Sequence, residues 1–467
     1  VHRPAGLGSG RAGLQLLSPR RLESAMPWLF PLAKHLLESL QKDGYHRCMS
    51  TSPYKPRIVE RELRLRLESA GAVVIEGPKA CGKTATAETM AASEVRLDVD
   101  EQARRAAEIE PALVLDGVAP RLIDEWQVVP AIWNHVRRAV DARRKPGQFI
   151  LTGSAVPADD VTRHTGAGRL ARVRMRPMTL FESGVANGSV SLAAVLDGAA
   201  PRAPAPDLTI RQLAELVALG GWPANLGKSP AATLAAVRDY VEEIRRTDLS
   251  RVDGVRRDPV RIGRLLRALA RNESTYVSAA TLASDAGSDD VGLHDETVRD
   301  YLDALERLMV VENQPAWAPH LRSRSRLRSG PKRRFVDPSL AVACLRATPD
   351  RILADMEWFG FLFESLVVRD LRVFAQAIDG DVFQYRDNTG LEVDAIVECQ
   401  DGRWAAFEVK LGQAQIDEAA AALRTFADRI DAKKCGKPAA LGVITGNGYG
   451  YVRPDGVAVI PIGTLGP

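Results

Sequence analysis

The chain has little cysteine, no long apolar run and little excess charge. Its five cysteines, Cys48, Cys81, Cys344, Cys399 and Cys435, are scattered among 467 residues without metal-ligand spacing, the pattern expected of a chain kept in a reducing cytoplasm. No segment reaches the roughly eighteen apolar residues of a membrane helix. The best candidate, Met26 to Leu40, is broken by Pro31, Lys34, His35 and Glu38. A clean signal-peptide cleavage pattern is missing from the first forty residues, which are rich in Arg, Gly and Ser. The formal net charge of +4 is too small for a basic bulk, so any nucleic-acid surface must come from local clustering.

What is present begins with Gly77, Pro78, Lys79, Ala80, Cys81, Gly82, Lys83 and Thr84, which match the phosphate-binding pattern G-x-x-x-x-G-K-[ST]. The run Ala72 to Ile75 before it reads as a buried strand and Thr84 to Ala92 as a helix, so backbone N–H groups would face an anion. This spacing predicts a nucleoside triphosphate site, with Lys83 on the β- and γ-phosphates and the Thr84 hydroxyl on Mg2+. Downstream, Leu122-Ile-Asp-Glu-Trp-Gln127 sets two carboxylates at a strand end. Asp124 is expected to hold Mg2+ and Glu125 to polarise the attacking water. A third strand, Gln148 to Leu151, runs into Thr152-Gly-Ser154, where Ser154 is the expected γ-phosphate sensor. The stretch Arg169 to Arg176 alternates basic and apolar residues, as a half-buried strand with a solvated basic face does. Arg169 just before it is a candidate finger for a neighbouring subunit's site, in a possible homo-oligomer.

With 45% hydrophobic and 26% charged residues, the length supports three or four cores. Residues 1–55, which begin with Val and contain Met26 and Met49, are expected to be a disordered extension or an overlong gene start. Residues 56–187 alternate β and α elements, which predicts a parallel sheet with helices on both faces and a strand between the phosphate loop and the acidic pair. Residues 188–258 read as a linker, Val185 to Pro206 being rich in Ala, Gly, Ser and Pro, and then a helical lid around Gly220-Gly-Trp-Pro223. Residues 259–345 show three helices and a strand hairpin, a winged-helix layout in which Thr297, Arg299 and Asp300 would meet a groove. Its wing, residues 322–334, carries seven positive charges and is the expected DNA contact.

Residues 346–467 read as helix, three strands, helix, strand, the order of restriction-endonuclease-like domains. Asp394 on one strand, with Glu408 and Lys410 on the next, can form a cluster if their faces coincide. Two carboxylates would hold Mg2+ on a scissile phosphate while Lys410 activates water, with Glu364 of the preceding helix as a further ligand. A salt-bridged hairpin on a domain without that chemistry is the alternative.

With these motifs placed, residues 56–467 resemble uncharacterised prokaryotic AAA+-like P-loop ATPases that join a winged helix to a restriction-endonuclease-like domain of the PD-(D/E)XK type. The resemblance rests on Lys83-Thr84, Ile123 to Gln127, Leu151 to Ser154, Gly168-Arg169, Gly220 to Pro223, Phe363-Glu364, Tyr385 to Asp387, Glu392 to Asp394 and Glu408 to Lys410. It implies an α/β fold, ATP binding and hydrolysis, and DNA as partner. Two functions are then expected: an ATP-controlled enzyme that cuts DNA, or an ATP-dependent switch whose C-terminal half binds DNA or a protein and cuts nothing.

Overall fold

Alternate side chains of β1 (Ala72–Glu76) are buried on opposite faces of a sheet, Ala72 and Val74 in one cluster and Val73 and Ile75 in another. That double burial is what a central parallel strand requires. The computed structural model describes residues 54–153, 166–249, 255, 257–287, 293–319 and 330–467. The expected extension to residue 53, Ser154 and residues 321–329 of the basic segment lie outside these.

Four further strands join β1: β2 (Ser93–Arg96), β3 (Arg121–Asp124), β4 (Phe149–Gly153) and β5 (Leu170–Arg174), in the order β2-β3-β4-β1-β5, all parallel. β4 therefore separates the acidic strand β3 from the loop strand β1. Helices Glu60–Ser69 and Lys83–Glu88 contribute to one core and Glu101–Ile109, Pro111–Leu115 and Ile132–Arg143 to the other. The helix after the phosphate loop is shorter than its sequence suggests, ending at Glu88, and the Thr89 hydroxyl donates to the Thr86 carbonyl at 2.7 Å.

The segment expected as a linker or mobile loop is packed instead. β6 (Val190–Ser191) is followed by a helix, Leu192–Leu196, whose Leu192, Val195 and Leu196 are buried together with Val190. Their apolar spacing outweighs the surrounding Gly, Ala and Pro. Helices Ile210–Leu219 and Pro230–Glu243 follow, the second continuing into one π-helical turn, Ile244–Asp248. Between them the Gly220 to Pro223 turn is fixed: Gly221 N–H donates to Asp337 Oδ2 at 3.0 Å, and the Trp222 indole donates to Ser339 Oγ at 3.0 Å. The middle region adds helices Pro259–Arg271, Ala279–Ala286 and Asp295–Arg307. The expected hairpin is reduced to single antiparallel bridges, Thr275 with Arg333, Val311 with Phe335 and Gln314 with Lys332.

Helices Pro338–Cys344 and Pro349–Ala354 lead to a 21-residue helix, Met356–Gln376. Beyond it β7 (Gly380–Arg386), β8 (Glu392–Cys399) and β9 (Trp404–Lys410) are antiparallel. After helix Ile416–Arg429, β10 (Ala440–Thr445) lies parallel to β9. β11 (Tyr451–Val452) and β12 (Ala458–Pro461) complete the order β11-β12-β10-β9-β8-β7. β13 (Leu465–Gly466) returns to pair with β6. One cluster of buried side chains runs from Leu180 through helices Ile210–Leu219 and Pro230–Glu243, the middle helices and the long helix to Leu465, so these regions share a core.

A Cβ on Gly221 would stand 2.1 Å from the Met178 carbonyl oxygen, a backbone atom with little freedom to yield. We expect Gly221→Ala to destabilise the fold by about 1–3 kcal/mol, read as an earlier midpoint in urea unfolding; an unchanged midpoint would show that the turn is not held as described.

Candidate nucleotide site and carboxylate cluster

The phosphate loop leaves the C-terminal end of β1 and reverses through two left-handed residues, Ala80 at φ 60° and Gly82 at φ 99°. Only glycine takes the second without strain, which is the physical content of that motif position. Lys83 is buried, its ammonium donating to the carbonyls of Gly77 at 2.9 Å and Pro78 at 2.8 Å. Thr84 Oγ1 donates to Asp124 Oδ1 at 2.9 Å, and Thr152 at the end of β4 donates to the same oxygen. Lys83, Thr84, Asp124 and Thr152 are thus gathered at one edge of the sheet. Glu125 follows at φ 50°, a conformation costly for a side chain with a Cβ. Its carboxylate accepts from Gln127 Nε2, while Trp126 packs on Trp133 with ring centroids 5.1 Å apart.

Several residues holding this loop carried no sequence signal. Arg57 is buried, donating to the Cys81 carbonyl at 2.7 Å and pairing with Glu182 at 3.0 Å. Lys79 pairs with Asp248 of the π-helical turn at 2.5 Å, and Tyr240, packed at a tilt of 38° against Trp222, donates to the Lys79 carbonyl at 3.3 Å. Thr152 is the hydroxyl that meets Asp124; its place two positions before Ser154 on an alternating strand was the available clue.

Arg169 lies at the other end of the sheet. Its carbonyl accepts from Ala72 N–H at the start of β1, about five residues and roughly 16 Å from the loop. Its guanidinium pairs with Asp141 at 2.6 Å. The expected alternation holds along β5, with Arg172 exposed and Val173 buried, but Arg174 and, just beyond the strand, Arg176 are drawn to a carboxylate instead of solvent. Arg176 forms a double hydrogen bond to Glu312, at 2.7 and 2.9 Å, and Arg174 and Arg372 approach the same carboxylate. Burial works against a charge there, but the three guanidinium groups hold Glu312 well below the usual carboxylate range.

In the C-terminal sheet, the register of β8 on β9, Ala395 opposite Phe407, brings Asp394 beside Glu408 and Lys410. Lys410 Nζ stands 2.8 Å from Glu408 and 3.9 Å from Asp394, whose Oδ2 also accepts from Val409 N–H at 3.0 Å. Glu364 faces the same cluster, but two cations already occupy it. Lys332 Nζ lies 2.8 Å from Glu364 and 3.1 Å from Asp394, and Arg334 also donates to Glu364. The expectation of a metal set of Glu364, Asp394 and Glu408 is corrected accordingly. Among the described residues no group of three or more His, Cys, Asp and Glu side chains is disposed to hold a metal ion.

Within the basic segment, the same contacts engage its last three residues, 332–334, while residues 322–329 lie outside the described ones. Lys332 and Arg334 are 4% and 1% exposed at their side chains, and Arg333 pairs with Glu306 at 3.5 Å, so none of the three is a free phosphate contact. The helix expected to enter a groove carries five acidic side chains against two arginines. Arg299 pairs with Asp295 and Asp300 with Arg257. Such a surface repels a phosphate backbone.

Burial first, and Asp394 beside it, push the Glu408 carboxyl up to about 8 against the pull of Lys410. A carboxyl raised in the folded state binds its proton more tightly there than in the unfolded chain. Its stabilising contribution is therefore complete below about pH 4.5 and lost as pH rises towards 8. We expect wild-type stability in urea to fall from pH 5 to pH 8 and Glu408→Gln to show a shallower fall; parallel curves would contradict this.

Comparisons with known proteins follow the same divisions. Residues 69–183 match the family model described as AAA domain. Residues 210–351 match Domain of unknown function (DUF8612), and residues 359–465 match Domain of unknown function (DUF4143). Uncharacterized protein Rv2008c of Mycobacterium tuberculosis is 28% identical over 359 residues, covering 74% of this chain and 72% of its own length. Uncharacterized protein Mb2031c of Mycobacterium bovis matches to the same extent. Among solved structures, the Walker-type ATPase PABY2304 of Pyrococcus abyssi aligns over 63% of this chain and 99% of its own, at 13% identity and a TM-score of 0.40. No helix among the described residues is long and apolar enough to cross a membrane. With the phosphate loop and the acidic strand inside the first match and the carboxylate cluster inside the last, the chain carries an AAA domain followed by two domains of unknown function.

Proposed function

We propose that the chain binds and hydrolyses ATP at residues 77–84 and uses the cycle to switch its C-terminal half, which engages a DNA or protein partner. The observation that carries this reading is the meeting of Lys83, Thr84, Asp124 and Thr152 at the ends of β1, β3 and β4. When the triphosphate enters, Lys83 exchanges the carbonyls of Gly77 and Pro78 for the β- and γ-phosphates. The hard oxygens of Thr84 and Asp124 suit Mg2+, which would neutralise charge on the triphosphate. Glu125, aimed by Gln127, polarises the attacking water, and ADP and phosphate are released. Ser154 senses the γ-phosphate in this reading, and Arg169, turned away from its own loop, serves a neighbouring subunit.

Coupling follows from the contacts of the loop. Lys79 reaches the lid through Asp248, and Arg57 reaches Glu182. Arg176, just beyond β5, reaches the middle region through Glu312. A change of loop geometry on phosphate binding is thereby felt at the ion pairs Lys79–Asp248 and Arg176–Glu312, which tie the AAA domain to the helices that follow it. The order of helices and bridges in residues 259–336 supports a winged-helix layout, with DNA contact left to basic residues 322–328.

A second reading, metal-dependent DNA cleavage, is favoured by one observation, the convergence of Asp394, Glu408 and Lys410. Single- and double-stranded DNA incubated with Mg2+ or Mn2+, with and without ATP, separates the two: cleavage that vanishes in Asp394→Ala supports a nuclease, and its absence in ATP-hydrolysing protein supports the switch.

For the ATPase, we expect Lys83→Ala to lose nucleotide binding and Glu125→Gln to bind ATP while turnover falls by about 10²–10⁴-fold. A Glu125→Gln protein with wild-type turnover would remove Glu125 from this role.

A further inference from the structure

The carboxylate cluster and residues 311–317 and 330–336 belong together more closely than a wing and a neighbouring domain need to. Gln314 exchanges both backbone hydrogen bonds with Lys332, at 2.9 and 3.1 Å. The Gln314 amide then donates to the carbonyls of Phe383 on β7 and Asp394 on β8, each at 2.9 Å, and its Oε1 accepts from Arg334 Nε at 2.9 Å. Two residues on, Ala316 bridges Gln384 in parallel, and Gln384 N–H donates to the Pro315 carbonyl at 2.9 Å. Residues 314–317 thus lie along the outer edge of β7 and cover the side of that strand that does not face β8. That docking delivers two alternate side chains, Lys332 and Arg334, into the cluster, while Arg333 between them points to Glu306.

Each carboxyl group of the cluster therefore has a cationic side chain beside it. Glu364 takes Lys332 and Arg334, Asp394 takes Lys332 and Lys410, and Glu408 takes Lys410. Lys332 stands within 3.1 Å of both Glu364 and Asp394, the pair that a divalent ion bridging the helix Met356–Gln376 and β8 would use. The Tyr276 ring closes over the ammonium, with its centroid 5.4 Å from Nζ. In this arrangement the residues do not fit a metal ion. We infer that Lys332 is a tethered cation that takes the place of a divalent ion between Glu364 and Asp394, closing a latent metal site and locking the middle region onto the C-terminal sheet. Withdrawal of segment 330–336 would free a set of hard oxygens on a rigid helix and strand. Lys332 is accordingly a gating residue, and any cleavage of DNA requires it to leave first. This inference stands apart from ATP turnover, which its test excludes.

The test is calorimetric titration of the full chain with Mn2+, without nucleotide, on wild type, Asp394→Asn, Lys332→Arg, Lys332→Met and the double variant Lys332→Met/Asp394→Asn. Wild type, Asp394→Asn and Lys332→Arg are expected to titrate alike. Lys332→Met is expected to gain a binding step that the double variant loses. A step in wild type that disappears in Asp394→Asn would overturn the inference, as would a folded Lys332→Met with no gain. If Lys332→Met loses its fold, the inference expects millimolar Mn2+ to restore the far-UV circular dichroism, and no restoration would contradict it.

Discussion

The pairing of Arg176 with Glu312 connects the AAA domain to the middle region. Arg176 leaves the β5 edge of the nucleotide-binding sheet, where Met175 N–H donates to the Glu76 carbonyl at 2.7 Å just before the phosphate loop begins. Glu312 belongs to the middle region, and Arg372, which shares its carboxylate, belongs to the long helix of the C-terminal region. One carboxylate thus gathers guanidinium groups from two other parts of the chain. Removing it would leave several cations largely buried and uncompensated, a cost of about 3–5 kcal/mol for a buried pair broken on one side. Gln376, on the same long helix, adds contacts to Arg176, Glu62 and the Arg174 carbonyl, so β5 and the helix Glu60–Ser69 are fixed to that long helix.

The long helix explains why the regions beyond the AAA domain share one core. Met356–Gln376 carries an unusual line of buried polar residues: Glu364 towards the carboxylate cluster, Arg369 and Asp370 towards the lid turn, Arg372 towards Glu312. Arg369 pairs with Asp337 at 2.8 Å, and Asp337 also accepts from Gly221 in the Gly-Gly-Trp-Pro turn. Asp370 accepts from Leu180 N–H at 2.9 Å. These charges are satisfied only while lid, middle region and sheet keep their present arrangement. A rearrangement must therefore exchange specific ion pairs, the discrete behaviour a switch requires.

What the sequence made legible was local. The phosphate loop is eight consecutive residues, the acidic pair is two, and alternating strands and helices dictated a parallel sheet; an intervening strand was expected, and the structure shows it to be β4. The succession of the long helix, three strands, a helix and a strand in the C-terminal region followed from the same patterning, and the shared face of Glu408 and Lys410 from their spacing, while the strand order and the two further strands did not. What stayed hidden depends on distant partners. Lys332 meets Glu364 across 32 residues and Asp394 across 62, and a run of arginines and lysines reads as solvated until its partners are known. The alternation of Lys332 and Arg334 around Arg333 was the trace of an inward face. Likewise Val190, Leu192, Val195 and Leu196 carried a buried spacing inside a segment whose Gly and Pro content suggested a loop. Arg57 and Asp248 had no local signal, because their roles exist only once the loop is folded.

The central claim is that the state of the phosphate loop is felt at the joint between the middle region and the C-terminal sheet. Hydrogen exchange of a Glu125→Gln protein with and without ATP tests it most directly. The account predicts altered exchange both in residues 77–90 and in residues 311–317 and 330–336, linked through Arg176 and Glu312. Exchange that changes at the loop alone, with ATP demonstrably bound, would contradict the coupling and leave two independent halves.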